Sequence, residues 1–389
     1  MQRSRHHLPL TAGGWTLLAL GGIAYVTGWQ LGWVELMVVA AGCLIVLVLA
    51  VPFVVGRLAL DVQRTLEPER VTVGDRSVAV VRVTNPRRTP ISSRTIEDRV
   101  AGRPLRLDTS PLGPGRATEA VYLLPTARRG VVTVGPALIV KSDLLGLMRR
   151  EIVQCGEQTL WVHPRVTALA PLPVGFAKDL EGPTSDASPA GDVAFHALRE
   201  YEIGDDHRHI HWMSSARTGQ LMVRHHVDNR RPILTAVIDT EIDHYADERT
   251  FDTAIEIAAS LGVSSMLAAQ PVAVWLDREV LLGLRRPAVR DDLLDRLTLA
   301  EGATGTDVGQ SALDALRAET GTSALVVITG NLPTERFLRT VGIARRRTCV
   351  VLVRVFPPGD RLPGTLPGAK VLDVDSLDQF AAAWARFAR

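Results

Sequence analysis

The sequence predicts a membrane-anchored protein of mixed α+β and α/β class, and three features indicate this. Two long apolar runs near the N-terminus are typical of a transmembrane helical hairpin. Short β-branched segments then predict a β-sandwich-like module. In the last part of the chain, strand and helix patterns alternate, which favours an α/β domain with a mostly parallel sheet. The predicted boundaries are 1–57 for the hairpin, 58–168 for the module, 169–232 for a linker together with the segment Arg199–Arg224, and 233–389 for the α/β domain.

The composition of the chain excludes some classes of function. The 389 residues are 46% hydrophobic, and 44 basic and 42 acidic side chains give a net charge of +2. Because the charges nearly balance, there is no general attraction to nucleic acid, and we expect no nucleic-acid partner. The three cysteines, Cys43, Cys155 and Cys349, are too widely spaced for a zinc motif or a disulfide framework. Their spacing fits a reducing compartment.

The two apolar runs cover residues 11–28 and 34–55, and neither contains Lys, Arg or Asp. Each is about as long as the ~20 residues that cross a bilayer core as a helix. Trp29 and Trp33 lie in the short connection, where aromatic rings favour the headgroup layer, and Glu35 can lie at the same interface. The runs therefore predict a two-pass protein of the cell membrane.

The flanking charges predict the orientation of this hairpin. Arg3 and Arg5 precede the first run, and Arg57 and Arg64 follow the second. The positive-inside rule then places both termini and the soluble domains in the cytoplasm. A cleaved signal peptide is the alternative for the first run, but a second run follows at once and no small-residue cleavage site ends the first.

The soluble part contains two kinds of pattern. Between residues 60 and 165, short β-branched segments are separated by turns rich in Pro, Gly and Arg, although residues 87–115 are too irregular to assign. No catalytic constellation occurs there. Beyond residue 232, a helix is predicted at 250–269 and strands at 233–239, 271–277, 278–284, 323–330 and 348–355, with the third strand as a hairpin partner of the second.

The segment Arg199–Arg224, called here the signature segment, mixes unlike chemical groups more densely than any other stretch. His207, His209 and His211 alternate with other residues, so an extended strand would place the three rings on one face, where they could bind a metal. No zinc-motif spacing accompanies them. A segment without metal is therefore the stronger prediction.

Other residues of the signature segment predict an architectural joint. Gly204 and Asp205 are typical of a tight acidic turn. Arg208 and Arg217 can form bidentate pairs with nearby carboxylates, or some of these charges can face a partner. Trp212 is expected to bury its ring against a neighbouring sheet.

The signature segment resembles that of the domain-of-unknown-function-58 (DUF58) family. The residues that carry the resemblance are Arg199-Glu200-Tyr201, Gly204-Asp205, Arg208, Ile210, Trp212 and Ser215-Ala216-Arg217. Upstream landmarks that also resemble the family are Arg128-Arg129-Gly130, Gly135-Pro136, Asp143-Leu144-Leu145-Gly146-Leu147 and Val162-His163-Pro164-Arg165. The third of these departs from the family's DPFGL pattern at Leu144 and Leu145. The resemblance implies a binding segment in which the residues concerned are Arg199, Tyr201, Gly204, Asp205, Arg208, Trp212 and Arg217.

The strand order of the last domain resembles a von Willebrand factor type A domain, whose DxSxS loop builds a metal-ion-dependent adhesion site. Asp239 takes the first position, whereas Glu241 and Asp243 replace the serines. Thr306 could match the later Thr, and the final Asp position falls near residue 330. These oxygen ligands could hold Mg²⁺ at the carboxyl ends of parallel strands. A degenerate site without metal is the alternative that the missing serines favour.

Two classes of function follow from these features. In the first, the protein is a membrane-tethered cytoplasmic adaptor or scaffold. The DUF58 resemblance implies a MoxR-type AAA+ ATPase as its partner, in envelope or protein-complex maturation. In the second, it is a metal-dependent hydrolase that uses Asp239, Asp243 and the histidines of the signature segment. No Ser-His-Asp, Cys-His or phosphate-binding glycine motif is visible, so we expect the adaptor rather than the enzyme.

Overall fold

A computed structural model describes most of the chain. The described residues are 10–54, 60–91, 94–173, 193–202, 207, 210–228, 232–284, 289–330, 339, 342–344, 348–359 and 369–388, and for 94, 193–197, 199 and 224–228 only the backbone is described. The chain divides into two compact units, residues 1–162 and 163–389.

The first unit begins with two helices, α1 (Ala12–Leu31) and α2 (Val34–Val54), which pack along each other. Glycines at the contact permit this close approach, since a Cβ on Gly21 would lie 3.1 Å from the Cβ of Cys43. Within the described part of the chain, α2 is the helix that is long and apolar enough to cross a membrane. The structure therefore provides one candidate span by length and composition.

Two antiparallel sheets make up the rest of the first unit. One has the order β1-β3-β6, and the other has the order β2-β10-β7-β4-β8-β9 with β5 paired to β4. Side chains from both sheets, including Val62, Val81, Ile96 and Ile139, share one core, so the sheets pack face to face. The strands are β1 (Asp61–Glu67), β2 (Arg70–Thr72), β3 (Val78–Thr84), β4 (Arg94–Val100), β5 (Arg103–Thr109), β6 (Ala117–Leu123), β7 (Gly130–Val134), β8 (Ala137–Ser142), β9 (Arg149–Cys155) and β10 (Gln158–His163).

A buried ion pair lies inside this sandwich. The Nη1 of Arg64 is 2.7 Å from the Oδ1 of Asp98, and neither side chain is exposed. The hydroxyl of Tyr122 donates to the other carboxylate oxygen at 2.7 Å, and the Nε of Arg64 donates to Gln158 at 2.9 Å. Position 135 must be glycine, because its φ is +110° and a Cβ would lie 2.7 Å from the guanidinium. The pair is therefore held by a satisfied polar network.

The second unit contains a six-stranded sheet in the order β15-β14-β13-β16-β17-β18. All neighbours are parallel except β15, which pairs antiparallel with β14. Core residues cover both faces of the sheet, which is therefore a doubly wound α/β arrangement. The strands are β13 (Ile233–Ile238), β14 (Val272–Leu276), β15 (Glu279–Leu282), β16 (Thr322–Thr329), β17 (Cys349–Val355) and β18 (Lys370–Val374).

The other elements of this unit that the structure describes include helices and a two-stranded sheet. The sheet pairs β11 (Val193–Glu200) with β12 (Met222–Asp228) in antiparallel fashion, with a register shift between Phe195 and Ala197. The helices are α3 (Trp212–Thr218), α4 (Glu248–Leu267), α5 (Arg290–Thr298), α6 (Val308–Ala318) and α7 (Leu377–Phe387).

Residues 163–172 are fastened along α4. The backbone N–H groups of Thr167 and Leu169 donate to the hydroxyls of Ser260 and Ser264 at 3.1 and 3.0 Å. The two serines are four residues apart, so they lie on one face of the helix, one turn from each other. This face of α4 therefore fixes where the chain enters the second unit.

Candidate functional site

Asp239 is the centre of the first candidate site, at the carboxyl end of the central strand β13. Its side chain is completely buried. One carboxylate oxygen accepts the N–H of Glu241 at 3.0 Å. The other lies 2.6 Å from the hydroxyl of Thr329 and 2.6 Å from the Nδ1 of His244. Three groups of this chain therefore occupy the carboxylate that the sequence predicts as a metal ligand.

His244 is the side chain that pairs with this carboxylate. The ring is buried, and its hydrogen bond to Asp239 raises the pKa of His244. Burial opposes this effect, and the negative charges of Asp239, Glu241 and Asp243 add to it. These effects together favour the protonated form of His244 over its ordinary balance.

Glu241 and Thr306 belong to two loops that meet, so two of the predicted ligands are in contact. The N–H of Thr306 donates to the Oε2 of Glu241 at 2.7 Å. The N–H of Ile242 donates to the carbonyl of Ala303 at 2.9 Å, so the two loops also pair through their backbones. Asp243 is exposed.

The residues of this loop do not fit a magnesium site. Within the described residues, no three His, Cys, Asp or Glu side chains form a group that could hold a metal ion. The oxygens of Asp239 and Glu241 accept hydrogen bonds from N–H and O–H groups, whereas a hard cation requires oxygen lone pairs that face an open position. Sequence reasoning missed His244 and Thr329, because neither position belongs to the pattern that the predicted metal site uses.

The signature segment is described only in part. Gly204, Asp205, Arg208 and His209 lie outside the described residues, and of Arg199 only the backbone, in β11, is described. Tyr201 follows β11. Its N–H donates to the carbonyl of Leu221 at 2.8 Å, and its hydroxyl lies 3.3 Å from the Nε2 of His207. Tyr201 therefore ties the beginning of the segment to its end.

His207 and His211 do not lie on one extended strand, so that expectation is wrong for them. His207 is in a 3-10 turn, and His211 is the N-cap of α3. The Nδ1 of His211 accepts the N–H of Ser214 at 3.3 Å, and its backbone N–H donates to the carbonyl of Met222 at 2.8 Å. This capping bond occupies the lone pair of Nδ1, which that nitrogen would need to bind a metal.

Helix α3 is fixed to strand β12 by a buried serine. The side chain of Ser215 is 8% exposed, and its hydroxyl accepts the N–H of Met222 at 2.8 Å. Gly219, with φ +77°, ends the helix in the left-handed conformation. The helix therefore has one defined inner face, which contains Ser215.

Trp212 does not bury its ring, and this prediction is wrong. Its side chain is 67% exposed and that of Met213 is 79% exposed. Because Ser215 takes the inner face of α3, the first two residues of the helix face solvent. We call Trp212 and Met213 the exposed pair. Arg217 is also exposed, and no ion pair joins it to any residue in the described part of the chain.

Comparisons with solved structures add only weak likenesses. A CARDB domain from Pyrococcus furiosus is 17% identical and covers 26% of this chain and 89% of its own, with a TM-score of 0.21. Red sea bream transglutaminase is 17% identical over 27% of this chain and 15% of its own, with a TM-score of 0.20. Scores this low support no functional argument. No curated protein sequence matches the chain.

A protein-family model provides the more informative comparison. The family described as "Protein of unknown function DUF58" matches residues 197–378, which are fewer than half of the 389 residues. The match includes the whole signature segment, the Asp239 loop and the six strands of the large sheet. The likeness to DUF58 is thus shown for residues 197–378.

Proposed function

We propose that this protein is a membrane-tethered cytoplasmic adaptor that binds a partner protein through the exposed pair. The carrying observation is that Trp212 and Met213 are 67% and 79% exposed on a helix whose opposite face is fixed. Aromatic residues and Met are enriched in protein interfaces, and Trp is among the residues that contribute most to binding. An architectural joint gives no reason for two large apolar side chains to face water.

The rigidity of α3 supports a binding role. His211 caps the helix, and Ser215 joins it to β12 through the N–H of Met222. A helix fixed in this way loses little conformational freedom when a partner covers it, so more of the contact energy appears as affinity. The exposed pair is thus preorganised for binding.

The membrane tether rests on the two N-terminal helices. Helix α2 is long and apolar enough to cross a bilayer, and α1 packs along it. We propose that both span the membrane as a hairpin, with the termini and both soluble units in the cytoplasm. The arginines that flank the hairpin support this orientation through the positive-inside rule.

We further propose that the second unit is a von Willebrand factor type A-like domain that works without a metal. The six-stranded order with a single antiparallel strand, β15, agrees with that assignment. In this proposal His244 takes the place of the cation as the counter-charge of Asp239. The loop then serves to hold the fold rather than to bind a ligand.

The partner that we propose is a MoxR-type AAA+ ATPase, in envelope or protein-complex maturation. This identity rests on the resemblance to DUF58 and on the exposed pair as the docking point. The alternative, a metal-dependent hydrolase, has less support, because the described acidic and histidine side chains do not gather into a metal site. His209 lies outside the described residues.

A binding experiment with the full chain tests the proposal. The detergent-solubilised protein is immobilised, and its retention of the purified ATPase is compared between the parent and a Trp212→Ala, Met213→Ala variant. Leu267→Ala is the matched control, because Leu267 is an 80% exposed apolar residue of the same unit. We expect at least a roughly tenfold loss of affinity in the double variant, the usual effect of losing an interface hot spot. Equal retention by all three proteins would reject the exposed pair as the binding site.

A further inference from the structure

Two adjacent leucines in the first unit are exposed to solvent. Leu144 is 89% exposed and Leu145 is 69% exposed, and Leu144 is the most exposed large apolar side chain that the structure describes. They lie between strands β8 and β9, in the turn Asp143–Met148. Because the two leucines are adjacent, they form a small contiguous apolar surface, and contiguous apolar surfaces mark sites of contact with proteins or membranes.

The turn that carries them is tightly built. The buried carboxylate of Asp143 accepts the N–H of Met148 at 2.6 Å and the N–H of Leu145 at 3.0 Å. Gly146, with φ +68°, completes the reversal. Burial of Asp143 acts to raise its pKa, but the bonds from backbone N–H groups prevail, so its pKa is lowered and it is ionised at neutral pH. The leucines therefore project from a fixed platform.

This platform is attached to the beginning of helix α1. The N–H of Thr11 donates to the carbonyl of Leu147 at 2.9 Å, and its hydroxyl donates to the carbonyl of Gly146 at 2.7 Å. Gly14, in the first turn of α1, lies so close that a Cβ there would overlap with the carbonyl oxygen of Leu147. The turn thus packs directly against the first turn of the helix.

The same platform is attached to the end of helix α2. Met148 packs with Ala50 and Val54, and Leu10 joins this cluster. Ala50 lies four residues before the last residue of α2, which is about 6 Å along the helix axis at 1.5 Å per residue. The turn therefore overlaps the terminal turns of both helices at the same end of the hairpin.

We propose that the Asp143–Met148 turn docks into the bilayer interface, with Leu144 and Leu145 at the boundary between headgroups and acyl chains. This inference rests on the proposed hairpin, because the helix ends define where the interface lies. Lys141 and Arg150, which face each other across β8 and β9 beside the turn, suit the anionic headgroups of a cytoplasmic leaflet. The docked turn would hold the sandwich at a fixed orientation to the membrane.

Depth-dependent fluorescence quenching tests this docking in the full chain. The three native cysteines are replaced by Ala, and a single Cys at position 144 carries an environment-sensitive fluorophore. The protein is reconstituted into vesicles of phosphatidylcholine and phosphatidylglycerol. One set of vesicles contains a lipid with a shallow nitroxide label, and a second set contains a lipid with a deep one. Matched probes replace Val48 on α2, which reports insertion of the hairpin, and Leu123 on β6, which is 70% exposed on the other sheet.

We expect strong quenching of the probe at position 144 and little at position 123. If the probe at position 48 is quenched by a deep nitroxide but position 144 behaves like position 123, the docking is overturned and the hairpin stands. If neither 48 nor 144 is quenched, the membrane tether itself fails. Protection of position 144 from aqueous iodide without lipid quenching would mean that protein covers the turn, which also overturns the docking.

A second measurement avoids the cysteine replacements, in case they disturb folding. A photoreactive phenylalanine derivative replaces Leu144 in the otherwise native chain, and irradiation in the same vesicles should attach lipid to the peptide that contains it. The same derivative at Leu123 serves as the control. Lipid attachment at both positions or at neither would contradict the proposal.

Discussion

Replacement of Asp239 by Asn tests whether a charged pair with His244, rather than a metal, holds the loop after β13. The substitution keeps the size of the side chain but removes its charge. The imidazole of His244 is then left buried without its counter-charge, and the hydroxyl of Thr329 loses an ionised acceptor at 2.6 Å. Asp243→Asn is the matched control, because Asp243 is an exposed acid of the same loop.

The expected cost follows from the burial of both partners. Breaking a buried ion pair by removing one charge destabilises by about 3–5 kcal/mol. For a unit of roughly this size, each kcal/mol lowers the midpoint of thermal unfolding by about 2–4 °C, so we expect a decrease of roughly 6–20 °C. The control should change stability by no more than about 0.5 kcal/mol, as is usual for exposed substitutions.

The stabilisation that the Asp239–His244 pair provides should depend on pH. Because the pKa of His244 is raised in the fold, its stabilising charge is fully present below the unfolded value of 6.5 and is lost as pH rises through the folded value. The difference between parent and Asp239→Asn should therefore be largest below about pH 6.5 and should shrink at alkaline pH.

Thermal unfolding of the full chain in detergent, with hydrogen exchange of strand β13 as the local readout, provides the assay. Addition of Mg²⁺ should leave the midpoint of the parent unchanged, since a ligand that does not bind the folded state cannot stabilise it. A midpoint that rises with Mg²⁺ in the parent but not in the Asp239 variant would refute the charged-pair account and restore the metal site. So would an Asp239 variant that is as stable as its control.

Three further predictions concern other parts of the chain. Asp98→Asn should destabilise the sandwich by about 3–5 kcal/mol, because it leaves a guanidinium buried, whereas Glu119→Gln breaks an exposed pair and should cost at most about 1 kcal/mol in chemical denaturation. Gly330→Ala should lower the thermal midpoint, because its Cβ would overlap with the carbonyl of a neighbouring loop, whereas Gly342→Ala points into open space and should not. A reporter fused after Arg389 should be cytoplasmic, and one inserted between α1 and α2 external. The opposite pattern would reject the proposed topology.

The sheet of the second unit was largely predictable from the sequence, because its strands are continuous apolar runs. The predicted strand at 233–239 is observed as Ile233–Ile238, and the predicted helix at 250–269 as Glu248–Leu267. The hairpin partner of the second strand is observed as well. Buried parallel strands and a long amphipathic helix carry strong periodic signals, which depend little on their surroundings.

Elements that depend on tertiary contacts were not predictable. Residues 87–115 looked irregular, yet β4 and β5 form a hairpin there, with its turn at Ala101 and Gly102 in positive φ. The helix that begins at Trp212 was also missed. Its sequence has no apolar repeat, and its position depends on a His cap and a buried Ser that contact a later strand. The exposure of Trp212 follows from that packing. The residue type alone therefore led to the wrong prediction that its ring is buried.

The contacts of the candidate site were also predictable only in part. The proximity of Glu241 and Thr306 was predictable, because both follow elements that end at the same edge of the sheet. The pairing of Asp239 with His244 was not, since it depends on a 3-10 turn, Ile242–His244, that aims the ring back at the strand. A His that lies six residues after the end of the strand carries no such signal in the sequence.

Photo-cross-linking in living cells tests the central claim most directly. A photoreactive residue replaces Met213 in the full-length protein, and Leu267, 80% exposed in the same unit, is the matched position. We expect a cross-link to a MoxR-type AAA+ ATPase from position 213, its absence from position 267, and its loss when Trp212 is changed to Ala. Equal cross-linking from both positions, or none from position 213 while the ATPase is present, would contradict it.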